Sequence, residues 1–454
     1  MSKDTLRYKQ VRWLILLLYI SVLATKPANA SEPLLLSLEA VKQYALEYNA
    51  EIKMARTDIE IAEKQIRETT AIGLPQINAS LGYNYYVDIP TSLIPAEFLG
   101  GEPGEFAEIQ FGTQHNMTAM ATVEQLVFDG QYIVGLRAAR IYRELAGKNL
   151  ERSEVEVRSM VRETYFLAQL VSENLKTVRK NLTNMEQTLF ETQRLREEGF
   201  TDPIHVDQLQ LTIANMRHRI TDLERQKLLT KNLLKFQAGI DLDTPVLLTD
   251  ELDLLFGELL AGMPTEHTFD PEQHIDYRLA QTQETFSLMV LRREQTAYLP
   301  TLSASFIRQE MAMRDSFNFF ASGRSWFPAT FFTVNLNIPI FSSGMRAAQV
   351  QQARLELEKT QIAKDHISRS LVLQKNEAVA EFESALEQYE NEQGSLVLAQ
   401  RILDRTSIMF REGMASSLEL TQANEQLLNS HVNYHNAMFA LLNAKNKLDK
   451  ALGR

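Results

Sequence analysis

The chain has 454 residues, a net charge of −11, 44% hydrophobic residues and no cysteine. The acidic balance argues against nucleic acid as a partner, because a phosphate backbone calls for a basic surface. The lack of cysteine removes disulfides and thiolate metal sites. At the start, Lys3, Arg7, Lys9 and Arg12 precede the apolar run "WLILLLYISVLA" and then "ANA", which ends at Ala30. This is the layout of a cleavable export signal over residues 1–30. Its loss takes away five basic residues and Asp4, leaving a mature charge of −15. The run is too short to span a bilayer as a helix, and no later stretch reaches the roughly twenty apolar residues that a spanning helix needs. Any membrane segment is therefore expected to be β, and export without disulfides points to the periplasm or the outer membrane.

The remainder is a duplication. A shift of 225 residues lays "NAEIKMA" from Asn49 on "HIDYRLA" from His274, and "LPQINAS" from Leu74 on "LPTLSAS" from Leu299. Further along the shift is 214, pairing Gly130 with Gly344, Gly199 with Gly413 and Gly239 with Gly453. Copy one thus carries eleven extra residues between Leu81 and Phe128, where "IPTSLIPAEFLGGEPGEF" reads as an exposed loop. The expected organisation is a first repeat over 31–240, a linking segment over 241–270 and a second repeat over 271–454.

Within each copy the periodicity changes. After Pro75, Ile77, Ala79, Leu81, Tyr83, Tyr85 and Val87 alternate with Asn78, Ser80, Gly82, Asn84 and Asp88, which predicts a strand with one apolar and one polar side. Looser alternation predicts strands near Met117–Val127 and Leu302–Arg308, and a cleaner one runs from Phe332 to Ile340. Soluble sandwiches alternate in the same way, but about ten residues with aromatics among the apolar positions also suit a bilayer-spanning strand. Four strands are too few to close a barrel, and lipid does not tolerate an open edge. The chain is therefore expected to oligomerise.

From Val157 the positions Val161, Thr164, Ala168, Val171, Leu175, Val178, Leu182, Met185 and Leu189 follow in steps of four and three, a heptad seam. Copy two keeps the register from Leu371 to Leu403, interrupted by Lys375 and Glu392. Helices of this length, predicted over about Leu145–Leu195 in copy one, must lie against similar rods. Each rod ends at a glycine, Gly199 in "EEGFTDP" and Gly413 in "REGMASS", where a left-handed residue can close the last carbonyls and the following Asp or Ser can cap a returning helix.

Other motifs fit ordinary structure better than chemistry. His431 and His435 stand one helical turn apart but lack the acid of a metal-binding H-E-x-x-H, so no metal ligand is assigned. "GQYIVG" from Gly130 is followed by Leu136 where a phosphate loop needs lysine. No nucleophile, base and oxyanion donor group together, and neither catalysis nor a cofactor is expected.

The segments "LSLEAVKQYALEYNAEIKMA", "LPQINASLGY", "YLPTLSASF", "NIPIFSSG", "EEGFTDPIHVDQ" and "REGMASSLEL" together resemble the TolC-like outer-membrane efflux proteins over essentially the whole mature chain. The resemblance implies a mainly α fold with transmembrane β strands. A homotrimer would build one twelve-stranded β-barrel, continued by a long periplasmic α-helical barrel. It implies an exit duct of a tripartite efflux or type I secretion system in the outer membrane of a Gram-negative bacterium, in contact with lipid. The partners would be a periplasmic adaptor (membrane fusion) protein and an inner-membrane RND, ABC or MFS transporter. The adaptor-docking turns would comprise Glu198, Gly199, Phe200 and Thr201 with Glu412, Gly413, Met414 and Ala415. The periplasmic aperture would involve Glu419, Gln422 where a second acid often stands, and His205 and Asp207 in copy one. Family members with a lipid anchor use an N-terminal cysteine, which this chain lacks. The alternative from another class is a structural coiled-coil protein of the envelope without a conduit.

Overall fold

The structure, a computed structural model, describes residues 33–261 and 269–453; the expected export signal and residues 262–268 lie outside them. The described chain begins with β1 (Leu34–Leu36), α1 (Leu38–Tyr48) and α2 (Ala50–Ile72), followed by β2 (Gln76–Tyr85), β3 (Thr91–Pro95), β4 (Phe106–Gln110) and β5 (His115–Phe128). The long helix α3 (Gly130–Glu197) turns into α4 (Pro203–Ala238), and β6 (Val246–Leu248) and α5 (Leu252–Ala261) complete the first half. The second half holds α6 (Ile275–Thr296), β7 (Thr301–Arg314), β8 (Phe327–Asn337), α7 (Met345–Arg411) and α8 (Ser417–Ala451). Two compact units result, each drawing on both repeats. Among the described residues, one is formed around 50–159, 269–387 and 443–453, and the other around 33–49, 160–261 and 388–442.

The first unit contains an antiparallel sheet in the order β2-β5-β7-β8. Its register places Ile77 opposite Val123, Val123 opposite Phe306 and Phe306 opposite Phe332, so these four share a face. Ala304, Val334, Leu302 and Leu336 continue that apolar face, while Asn78, Ser80, Thr122, Ser305, Thr333 and Asn335 form the other. Both outer strands are solvated along nearly their whole length: Ile77 is 76% and Phe332 67% exposed. Among the described residues no other strand pairs with the free edge of β2 or β8.

The strand boundaries depart from the expected ones for local reasons. β7 runs on to Arg314 because its register with β5 is unbroken there, although Arg308 and Glu310 fall on the apolar face and spoil the alternation. Arg308 donates to Thr330 Oγ1 across the strand pair at 2.9 Å and forms an ion pair with Glu310. β8 starts at Phe327 and ends at Asn337, so Ile338 and Ile340 lie beyond it. The extra residues of copy one are exposed, as expected, but not structureless: β3 and β4 form a hairpin over a short 3₁₀ turn, Ala96–Leu99. Helix α3 begins at Gly130, fifteen residues before the expected start near Leu145, since Asp129 Oδ1 accepts the amides of Gln131 and Tyr132 and caps it.

In the second unit the heptad seam is the buried stripe. Val161, Ala168, Val171, Leu175, Val178 and Met185 of α3 are all buried, and Val178 and Met185 pack with Leu209, Ile213 and Met216 of α4 and Leu428 of α8. Near one end, β1 and β6 form a three-residue parallel ladder held by a buried side chain. The Tyr165 hydroxyl donates to Leu36 O at 3.1 Å and accepts from the Asp250 amide at 3.3 Å, while Asp250 Oδ2 accepts from the Leu38 amide at 2.7 Å. Burial pushes the Tyr165 pKa up to about 12, so the hydroxyl keeps its proton for Leu36 at all physiological pH. Tyr165→Phe leaves the Asp250 amide without its partner and takes one of two hydrogen bonds from Leu36 O, which keeps the Thr249 amide at 3.1 Å, and is expected to lower stability by about 1–3 kcal/mol. Urea unfolding followed by helical circular dichroism checks this, and an unchanged midpoint would remove the assigned role.

Candidate functional site: the two interhelical turns

Both long helices end in the same hydrogen-bonded motif. At the end of α3, Phe200 N donates to Leu195 O at 2.8 Å and Gly199 N to Arg196 O at 3.0 Å. At the end of α7, Met414 N donates to Met409 O at 2.8 Å and Gly413 N to Phe410 O at 3.1 Å. These paired six-to-one and five-to-two bonds are the Schellman closure, which requires a left-handed residue. Gly199 has φ +78° and Gly413 φ +74°, and an added Cβ at either would meet no atom within 4 Å. The constraint on both glycines is thus conformational and not one of space. The residues just past them are apolar and uncovered, Phe200 at 77% and Met414 at 64% exposure, with Glu198 and Glu412 exposed beside them. Thr201 and Ala415 are half-buried.

The returning helices are capped at matching positions by different chemistry. Asp202 Oδ1 accepts the Ile204 amide at 2.9 Å, with Pro203 in the first helical position. In copy two Ser416 takes the cap: Glu419 Oε2 accepts from the Ser416 amide at 2.7 Å and Ser416 Oγ from the Glu419 amide at 3.3 Å, a reciprocal capping box. The Ser416 backbone amide, and then its hydroxyl, hold the Glu419 carboxyl below the usual carboxylate range. The residue corresponding to Glu419 in copy one is His205, which cannot close such a box. His205 instead reaches the other hairpin, where its Nδ1 meets Ser417 Oγ, and that hydroxyl donates to Gln208 Oε1 at 2.6 Å. Ser417 is fully buried, so this short chain of hydrogen bonds ties the start of α4 to the start of α8.

Of the aperture candidates, the structure brings His205 to the other hairpin, commits Glu419 to its own helix cap, and leaves Asp207 and Gln422 exposed on α4 and α8. Ser417 was absent from the sequence-based expectations, because nothing in its spacing announces a contact 212 residues away. The cap role of Glu419 did have a signal, the S-x-x-E spacing from Ser416. Higher on α8, His435 Nδ1 is engaged with Asn174 Oδ1 at 2.7 Å, and burial lowers the pKa of both His431 and His435. Among the described residues, no three of His, Cys, Asp or Glu converge as a metal site, and no helix is long and apolar enough to cross a membrane.

Comparison with known proteins places this geometry in context. The sequence pattern of the family described as "Outer membrane efflux protein" matches residues 41–239 and 291–454. The chain is 24% identical over 391 residues to the probable outer membrane lipoprotein SilC of Salmonella typhimurium, covering 84% of this chain and 78% of that protein. It is 22% identical over 385 residues to the cation efflux system protein CusC of Escherichia coli K12, covering 84% and 79%. Its fold is similar to the crystal structure of CusC, with a TM-score of 0.74 at 18% identity over 92% of both chains. It is also similar to the open-state MtrE outer membrane channel of Neisseria gonorrhoeae, with a TM-score of 0.69 at 17% identity over 92% and 88%.

Two outcomes are expected at the turns. Gly199→Ala and Gly413→Ala each force an L-residue to positive φ and should cost roughly 1–2 kcal/mol in thermal unfolding; a smaller loss than at a mid-helix control glycine such as Gly147 would contradict the Schellman assignment. The Glu419 contribution has a definite sign with pH. Its folded pKa is depressed, so the stabilisation is present above the unfolded carboxylate pKa and is lost as pH falls through the folded value. Hydrogen exchange at Ser416, corrected for its intrinsic pH dependence, should lose protection across that acidic range. Glu419→Gln, which keeps the box without a titrating group, should hold its protection constant.

Proposed function

Because the chain belongs to the outer membrane efflux protein family, we propose that it is the outer-membrane exit duct of a tripartite efflux or type I secretion system. The family is one of outer-membrane channels, not one known for enzymes. The observation that carries the finer reading is the four-stranded sheet with two free edges and a largely uncovered apolar face. In lipid every edge amide and carbonyl must find a partner, and only a closed barrel supplies one. Three copies contribute twelve strands, above the roughly eight of the smallest transmembrane barrels. The apolar face then meets lipid and the face of Asn78, Ser80, Thr122, Thr333 and Asn335 lines the lumen. The long helices continue as a periplasmic tube.

In this reading the turns at Gly199 and Gly413 lie at the periplasmic end. Phe200 and Met414 offer an adaptor exposed apolar contacts next to the carboxylates of Glu198 and Glu412. The hydrogen bonds from His205 through Ser417 to Gln208 hold the starts of α4 and α8 together, so an adaptor moves them as a pair when it opens the aperture at His205, Asp207, Glu419 and Gln422. Transport itself is passive and is energised by an inner-membrane RND, ABC or MFS transporter. CusC is named a cation efflux system protein, and the acidic balance of this chain agrees with a cation as its cargo.

The reading makes two linked measurements. The purified, detergent-solubilised protein should have the mass of a trimer and conduct ions in a planar bilayer with cation preference; a monomer without conductance would leave only a structural envelope role. An added Cβ at Gly199 or Gly413 meets no atom of the chain within 4 Å, so Gly199→Trp and Gly413→Trp, beyond the local backbone strain shared with alanine, should leave trimers in the outer membrane while abolishing export from cells. Normal export by both variants would overturn the docking role.

A further inference from the structure

The longer loop of the first repeat builds a hairpin that has little of its own chain to rest on. Among the described residues β3 and β4 pair only with each other, and a lone two-stranded hairpin is marginal in water. The register sets Leu93 opposite Glu108 and Pro95 opposite Phe106, so these four share a face. That face is open, with Leu93 64% and Phe106 66% exposed, whereas Ile94, Ala107 and Ile109 on the reverse face are half-buried. A surface that would steady the hairpin is therefore missing from the side of Leu93 and Phe106.

Charge sorts the possible occupants. Between Tyr86 and Gln114 the chain carries Asp88, Glu97, Glu102, Glu105 and Glu108 but no lysine or arginine. All five acids are exposed, and none pairs with a base among the described residues. Such a surface fits a cationic partner and repels phosphate or a second hairpin of its own kind. The loop between β7 and β8 lies at the same end of the sheet, where Tyr85, His115 and Arg314 stand in register. Arg314 spends its guanidinium on Met313 O at 2.8 Å and Ser325 O at 2.6 Å. Arg324 instead is exposed and meets no acid among the described residues, and Phe320 in the same loop is 79% exposed. The pairing of β5 with β7 sets the two loops side by side within one chain, yet the acids and Arg324 do not engage there. Joining the β2 edge of one copy to the β8 edge of the next brings another acidic hairpin to the other side of Arg324.

We propose that the β3-β4 hairpin of one copy clasps the β7-β8 loop of the next, with Leu93, Phe106 and Glu108 set against Phe320 and Arg324. The proposal rests on the reading of several copies as one closed barrel, and it gives the longer first loop the task of locking the β2-β8 seam from beyond the strand ends. Each copy gives a hairpin and receives one, a head-to-tail contact that closes into a ring. Exposed ion pairs are weak singly and are screened by salt, and here the ring makes them and the apolar contacts act together.

The chain has no cysteine, so introduced thiols are its only ones. Two full-length chains, Glu108→Cys with one affinity tag and Arg324→Cys with another, are co-expressed, and their outer membranes are treated with a short bismaleimide. A product bearing both tags is expected, and Lys359→Cys on α7 in place of Glu108→Cys should give none. Arg324→Glu should lower the temperature at which the detergent-solubilised trimer dissociates, by a margin that shrinks in high salt, and adding Glu108→Lys should restore it. Trimers that give no two-tag product, or an unmoved midpoint in Arg324→Glu, overturn the clasp and keep the duct. A monomer overturns the duct and the clasp together. Reduced retention of anionic phospholipid by Arg324→Glu with an unmoved midpoint would assign the loop tip to lipid phosphate and overturn the clasp.

Discussion

The backbone of a β-strand brings its polar groups wherever the strand goes, and in this protein that obligation governs most of the rest. Four strands pair with one another and leave the edges of β2 and β8 open, with an apolar face between them that is covered only at one end, where Phe319 and Trp326 pack on Met117 and Ala312. A sheet of this kind is unstable as an isolated object, being both an adhesive edge and an exposed hydrophobic patch. Duplication supplies two strands per repeat, and in the proposed duct the partners of the two open edges are further copies of the chain. The charged pair Arg308–Glu310 on the otherwise apolar face is the exception: each satisfies the other, and Thr330 takes a further guanidinium hydrogen.

The helical part answers a different constraint. Helices as long as α3 and α7 cannot bury a stripe on themselves, and their seams are consequently made of residues that admit close neighbours, such as Ala168, Ala378, Ala385 and Ala399. Exposed cross-helix ion pairs such as Arg179–Glu224 and Arg217–Glu186 add little to this. The cohesion comes from Val178, Met185, Leu209, Ile213 and Leu428, and from the hydroxyl of Tyr165 where two short strands far apart in sequence must be stitched together.

Much of this was legible from residue spacing, because period-2 and heptad patterns are direct consequences of which side is wet. The outer strands read clearly since every residue of β2 alternates; the central strand β7 did not, because Arg308, Glu310, Met311 and Met313 invert the pattern in its second half. The β1–β6 ladder was invisible: three residues carry no period, and their pairing spans more than 200 positions. At the turns, the glycines and the N-caps were readable because they are local chemistry. The bond from His205 to Ser417 was not, since it depends on two hairpins lying side by side.

The two turns share a backbone path but not a cap, Asp202 with His205 in one and Ser416 with Glu419 in the other. The two repeats thus end in chemically distinct tips on one backbone path. Were three subunits set around an axis, their tips would alternate between an imidazole-bearing and a carboxylate-bearing type, so the rim would possess threefold symmetry and only the appearance of sixfold. A protein seated on it would encounter two kinds of socket, and identical copies of that protein would have to grip them in two non-equivalent ways.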